Sequence, residues 1–208
     1  MALIKNAKGR GENDTPSGYE RLFGNHALGL LMSKVQSAVI STGNELEGVL
    51  ANQITNSEGI SIQKINKENR IFKGIKNGHD IIIDCVIEKE DKVMLIEIKD
   101  GDTFDTKKVA GEVESLLMTK AYVIKTRKIM QDNVSVYYCS FNADSHEQIE
   151  KGAKGLLPPG SAMTGREFCN LVGLDFDKIV QERKKDQKEN LIYFINELKK
   201  IPEIVDKF

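Results

Sequence analysis

The chain has 208 residues, with 30 Lys plus Arg against 31 Asp plus Glu and a formal net charge of −1. Hydrophobic residues make up 40% and charged ones 29%, the mixture of a soluble globular protein, and the length suits one domain over 1–208. No apolar run approaches the ~18 to 20 residues of a membrane-spanning helix. The N-terminal stretch lacks the apolar core of a secretory signal, and the balanced charge excludes a uniformly basic coat for nucleic acid.

Residues 1–25 are polar, rich in Gly, Asn and Asp, and read as a loose arm. From His26 to Ile40 the residues Leu28, Leu31, Met32, Val35 and Val39 recur at helical spacing, and Gly43 breaks the pattern. A second helix over 44–55 follows, with Leu46, Val49, Leu50, Gln53 and Ile54 on one face. Residues 57–79 are basic and amide-rich without a strong period. Two apolar strands come next, roughly 80–88 and 92–99, joined by the charged turn KEDK. A helix over 105–120 carries the stripe Val109, Val113, Leu116 and Leu117, with Thr103 or Asp105 as its cap. The β-rich NVSVYYCSF (133–141) is a further strand, lying beside the earlier one after a crossover. Residues 152–164 are loop, Thr164 caps a short helix to Leu171, and Asp175 opens a long one to about Lys200, ended by Pro202. The fold class is α/β, a mixed β-sheet flanked by helices.

Cys85, Cys139 and Cys169, like His26, His79 and His146, are too scattered for a zinc site. The cysteines read as buried thiols of a reducing cytoplasm. Metal chemistry therefore falls to carboxylates, which favour Mg²⁺, Mn²⁺ or Ca²⁺.

Glu97 and Lys99 interrupt the apolar strand VMLIEIK, where unpaired charges are costly to bury. With Lys89 facing Lys92 across the turn, Asp84 stands opposite Glu97 and shares its face with Lys99. Two carboxylates so placed repel one another unless a cation lies between them. A cross-strand salt network, with Lys99 neutralising both acids, is the plainer alternative. It leaves unexplained why three ionisable groups sit in so apolar a hairpin. Glu47, beside the Leu46–Leu50–Ile54 stripe, is either a third acid of the same site or a solvated glutamate.

The set Asp84 and, thirteen residues on, Glu97-Ile98-Lys99, after the helix TGNELEGVL with Glu47, resembles the PD-(D/E)xK nuclease superfamily and within it the type II restriction endonucleases. The element order fits the αβββαβ core of that family over about 41–142, leaving a C-terminal helical extension over about 145–208. The run IEIKDGDTFDTKKVAGE is similar to the segment after the catalytic lysine in several such enzymes. The family's Pro-Asp is here His79-Asp80 or Ile83-Asp84, without the proline; the strand pairing favours Asp84, with Asp80 second. The resemblance implies that Asp84 and Glu97 bind Mg²⁺, helped by the carbonyl of Ile98 and by Glu47. Lys99 would orient or deprotonate the attacking water and stabilise charge on the phosphate.

Phosphate contacts need local basic patches, and two flank this cluster in sequence. Lys107 and Lys108 open the helix after it, and Arg70 and Asn69 lie in the basic segment before it, with Gln63, Asn66 and Asn77 as further base-reading candidates. Lys154 and Arg166 lie near a later loop. The substrate expected is double-stranded DNA, and paired cleavage calls for a homodimer. The stripe Ile179, Leu191, Phe194, Ile195 and Leu198 is either its interface or ordinary core. Competing readings are a structure-specific or repair nuclease such as a Holliday junction resolvase, and a catalytically silent DNA- or partner-binding domain.

Overall fold

Ser17 accepts a hydrogen bond from the Glu20 amide and so starts α1 (Gly18–Phe23), which Gly24 ends in the left-handed conformation. The computed structural model describes residues 1–9, 15–56, 70–89, 91–101 and 105–205. It divides into two units, Met1–Leu46 with Asp177–Phe208, and Glu47–Phe176.

The periodicity from His26 gives one helix, α2 (His26–Asn56), which starts in the first unit and ends in the second, where two were expected. Gly43 does not break it, because a helical glycine costs only about 1 kcal/mol, less than continued packing returns. The N-terminal residues are also more ordered than a loose arm. A 3-10 turn spans Ile4–Asn6, the Ile4 amide donates to Asn190 Oδ1 at 2.7 Å, and Asn190 Nδ2 donates to the Ala2 carbonyl at 2.8 Å. Asn190 belongs to α6 (Phe176–Leu198), followed by the short α7 (Pro202–Val205). Ala2, Ile4 and Ala38 bury together with Val35, Tyr193 and Phe194 against them.

The second unit holds the sheets. An Asn77-Gly78 turn, both residues at positive φ, folds β1 (Ile71–Lys76) onto β2 (His79–Ile82) as an antiparallel hairpin. The expected strand 80–88 is therefore two strands in two sheets, parted at Ile83-Asp84. After the break, β3 (Cys85–Lys89) pairs antiparallel with β4 (Lys92–Lys99), from Cys85 opposite Ile96 to Lys89 opposite Lys92, the register the hairpin pattern predicts. Asp105 caps α3 (Thr106–Arg127), its carboxylate accepting from the Lys107 amide; Thr103 lies outside the described residues. This helix is longer than expected and crosses back to β5 (Val134–Ser140), which lies parallel to β4.

Ser145 caps α4 (His146–Gly152), and the loop after it ends in β6 (Ala162–Thr164), parallel to β5. Thr164 and Glu167 form a capping box at the start of α5 (Gly165–Val172). Gly165 is required there: a Cβ would come within 2.3 Å of the Phe141 carbonyl oxygen. The larger sheet runs β3-β4-β5-β6. Val93 and Leu95 from β4 join Val109, Val113, Leu116 and Val123 from α3 in one core, whereas Leu117 is 43% exposed and leaves the expected stripe. Among the described residues no helix is long and apolar enough to cross a membrane.

Candidate active site

Side chains alternate along β4, so Glu97 and Lys99 stand on the face that bears Leu95, the face covered by α3. On that face Glu97 is in register with Tyr138, and Lys99 with Ser140, across the parallel ladder to β5. Asp84 lies one residue beyond the paired end of β3, where the chain leaves one sheet for the other. Its Oδ2 accepts from the Ile98 amide at 2.9 Å, which fastens it to the edge of β4. The amide and carbonyl of one strand residue point to the same edge, so the Ile98 carbonyl faces the Asp84 side. Arg70 Nη1 donates to the Asp84 carbonyl, and the Ile83 amide donates to the Arg70 carbonyl at 3.1 Å, so this junction is held from both sides.

The Lys99 ammonium donates to Glu97 Oε1 at 2.7 Å and pairs with Glu112 Oε1 at 2.9 Å. The other oxygen of Glu112, Oε2, accepts from the Tyr138 hydroxyl at 2.9 Å. Glu97 and Glu112 thus share one ammonium, and the Asp84 carboxylate adds a further negative charge beside Glu97. Burial pushes the buried Glu97 carboxyl up to about 8; the Asp84 charge adds to this, and Lys99 only partly opposes it. At Lys99 burial works against the ammonium, but the Glu97 charge, its hydrogen bond and Glu112 outweigh it and push the amine up. Burial also pushes the Tyr138 phenol up, reinforced by the Glu112 charge and hydrogen bond, so it stays a hydroxyl donor.

A divalent cation fits this donor set. Asp84, Glu97 and the Ile98 carbonyl are hard oxygens, and a double positive charge would offset the Asp84 charge that adds to the effect of burial on Glu97. Among the described residues no three His, Cys, Asp or Glu side chains form a metal-holding group by themselves.

No family model matches the chain. The chain is similar to the type II restriction enzyme HhaII of Haemophilus parahaemolyticus, 35% identical over 225 residues that cover 98% of this chain and 96% of that protein. The chain belongs to the type II restriction enzymes. It is a hydrolase, a DNA endonuclease.

In this restriction enzyme, Asp84, Glu97, Ile98 and Lys99 gather at one point. Asp80 instead stands exposed on the smaller hairpin and accepts from the Gly74 amide at 3.0 Å. Glu47 is on α2, but its side chain lies outside the described residues, as do Gln63, Asn66 and Asn69 entirely. Lys107 and Lys108 are exposed in the first turn of α3, which carries no acid. Arg70, expected among DNA contacts, is tied to the Asp84 carbonyl. Arg166 stacks over Phe176 at 4.6 Å from the ring centroid. All three cysteines are buried and free.

Sequence reasoning missed Glu112 and Tyr138. For Glu112 a signal exists: it is three residues after Val109 and four before Leu116, inside the buried stripe of α3. A carboxylate in an apolar helical stripe is the same anomaly that singles out Glu97 in its strand. Tyr138 carries no such mark, because an aromatic residue is ordinary in a buried strand.

Proposed function

We propose that this restriction enzyme is a Mg²⁺-dependent, sequence-specific endonuclease of double-stranded DNA with a PD-(D/E)xK site formed by Asp84, Glu97 and Lys99 in an αβββαβ core. The observation that carries this reading is the convergence of Asp84 and Glu97 at the open end of the β3–β4 ladder, with the Lys99 ammonium 2.7 Å from Glu97 Oε1. Asp84, Glu97 and the Ile98 carbonyl would hold the cation, with Glu47 as a further acid. When bound, Mg²⁺ supplies Lewis acidity at the phosphate and lowers the pKa of water. Asp84 is kept in place by the Ile98 amide. Lys99 reaches the scissile phosphate from the same face, orients the attacking water and stabilises the charge that grows on the phosphate oxygens. Attack in line on phosphorus forms one P–O bond as the bond to the leaving oxygen breaks.

Lys107 and Lys108 support a phosphate contact beside this site. Both are exposed in the first turn of α3, whose N-terminus the Asp105 carboxylate already caps, so the case for a phosphate there rests on the two lysine side chains. Symmetric cutting of a duplex favours a homodimer, with one site for each strand. The setting we infer is the cytoplasm.

Digestion of a plasmid of known sequence tests the reading. Wild-type protein with Mg²⁺ should give discrete fragments; EDTA or Lys99→Ala should abolish them. Unchanged fragmentation by a Glu97→Ala/Lys99→Ala double variant would remove the site assignment, and a nonspecific ladder would remove sequence specificity.

A further inference from the structure

Lys99 has two carboxylate partners, and only one belongs to the cation site described above. Glu97, at 2.7 Å, is the carboxylate a cation would draw on; Glu112, at 2.9 Å, comes from the helix that covers the sheet. The two oxygens of Glu112 have separate partners. Oε2 takes the Tyr138 hydroxyl at 2.9 Å, which fixes the plane of the carboxylate and leaves Oε1 for the lysine. Each support of this brace is itself fixed. Tyr138 is fully buried and in register with Glu97, and Glu112 rides on a helix pinned by buried Val109, Val113 and Leu116.

We propose that Glu112, oriented by the Tyr138 hydroxyl, is the positioning residue for Lys99, holding the ammonium over the scissile phosphate while Glu97 serves the cation. The inference rests on the catalytic reading of Lys99 given above. A lysine side chain has four rotatable bonds, and restricting it before the substrate arrives removes that loss from the reaction barrier. With Glu97 as its only partner, Lys99 would be freed just when the cation claims that carboxylate. Glu112 lies on the helix side of the ammonium, so it anchors the lysine without taking the place of the phosphate.

The test is steady-state cleavage of plasmid DNA with Mg²⁺ by Glu112→Ala, Glu112→Gln, Tyr138→Phe, Lys99→Ala and Lys99→Ala/Glu112→Ala, alongside NMR of the metal-free proteins. Glu112→Ala should lower kcat by about 10- to 100-fold, the range found when an outer partner of a site residue is lost, and leave KM within about twofold. Glu112→Gln keeps an acceptor for Lys99 and should recover most of the rate. Tyr138→Phe, the milder change, should lose about threefold to tenfold. Adding Glu112→Ala to Lys99→Ala should cost nothing further, since the glutamate acts through the lysine. Without metal, the ¹H–¹⁵N signal of the Lys99 ammonium should be resolved in wild-type protein and shifted or lost in Glu112→Ala at unchanged melting temperature. A wild-type kcat in Glu112→Ala beside a dead Lys99→Ala overturns this proposal alone, as does an ammonium signal that ignores Glu112. Full activity in Lys99→Ala removes the catalytic reading as well.

Discussion

The Glu97 carboxyl binds its proton more tightly in the folded chain than in the unfolded one, because burial and the Asp84 charge both disfavour its anion. Between the ordinary carboxylate range and about 8, the folded state therefore holds a proton that the unfolded state has released. Stability of the metal-free protein should fall as pH rises through that window. Melting in EDTA across this range checks it: wild-type protein should lose melting temperature with rising pH, and Glu97→Gln should flatten the dependence. A wild-type profile that rises instead would mean that Lys99 dominates at Glu97. Asp84, Glu97 and Lys99 were legible from the chain because each breaks an apolar run. Glu112 was hard to see, since Glu114 two residues on is an ordinary exposed acid of the same helix. Its partner Tyr138 lies 26 residues away and meets it only through the crossover.

The elements show where local signals win and where packing overrides them. Asp105, Ser145 and Thr164 cap the helices that follow them, each accepting from a first-turn amide. Gly43 fails as a breaker because α2 continues through it. A Cβ added at Gly43 meets no heavy atom outside its own helix within 4 Å. Gly43→Ala should therefore stabilise the protein by about 0.5–1 kcal/mol, read from a chemical melt with an unchanged slope. A loss of stability there would show that the backbone needs glycine at this turn. The strand at Ile83-Asp84 teaches the opposite lesson. The apolar run IIIDCVI looks continuous, yet it leaves one sheet for the other there, with Arg70 on the Asp84 carbonyl and Asp84 on the Ile98 amide. These partners lie 14 residues away on either side, so no local pattern announces the break.

At the scale of the whole molecule, the stripe of α6 divides. Ile179 is buried at 1% exposure and Phe194 packs on Ala2, Ile4 and Ala38, but Leu191 is 58% exposed and Ile195 40%. Exposed aliphatic side chains on one helix suit a self-complementary contact between two copies. Leu191→Lys/Ile195→Lys should halve the mass seen by light scattering and turn double-strand cuts into nicks, with the fold intact by circular dichroism. Wild-type protein already monomeric on DNA would end the dimer reading. The sequence by itself determined the hairpin register, the Thr164 cap and the crossover to the next strand, and it singled out Asp84, Glu97 and Lys99 as a candidate set. Each depends on alternation, helical period or turn chemistry within a short stretch, where neighbours in the chain are neighbours in space. Only the tertiary structure decided that the Asp84 strand splits between two sheets, that Arg70 serves the Asp84 junction, and that Glu112 and Tyr138 brace Lys99. Those contacts join residues far apart in the chain, and hydrogen bonding to buried charge selects them only once the sheet and its covering helix have brought them together.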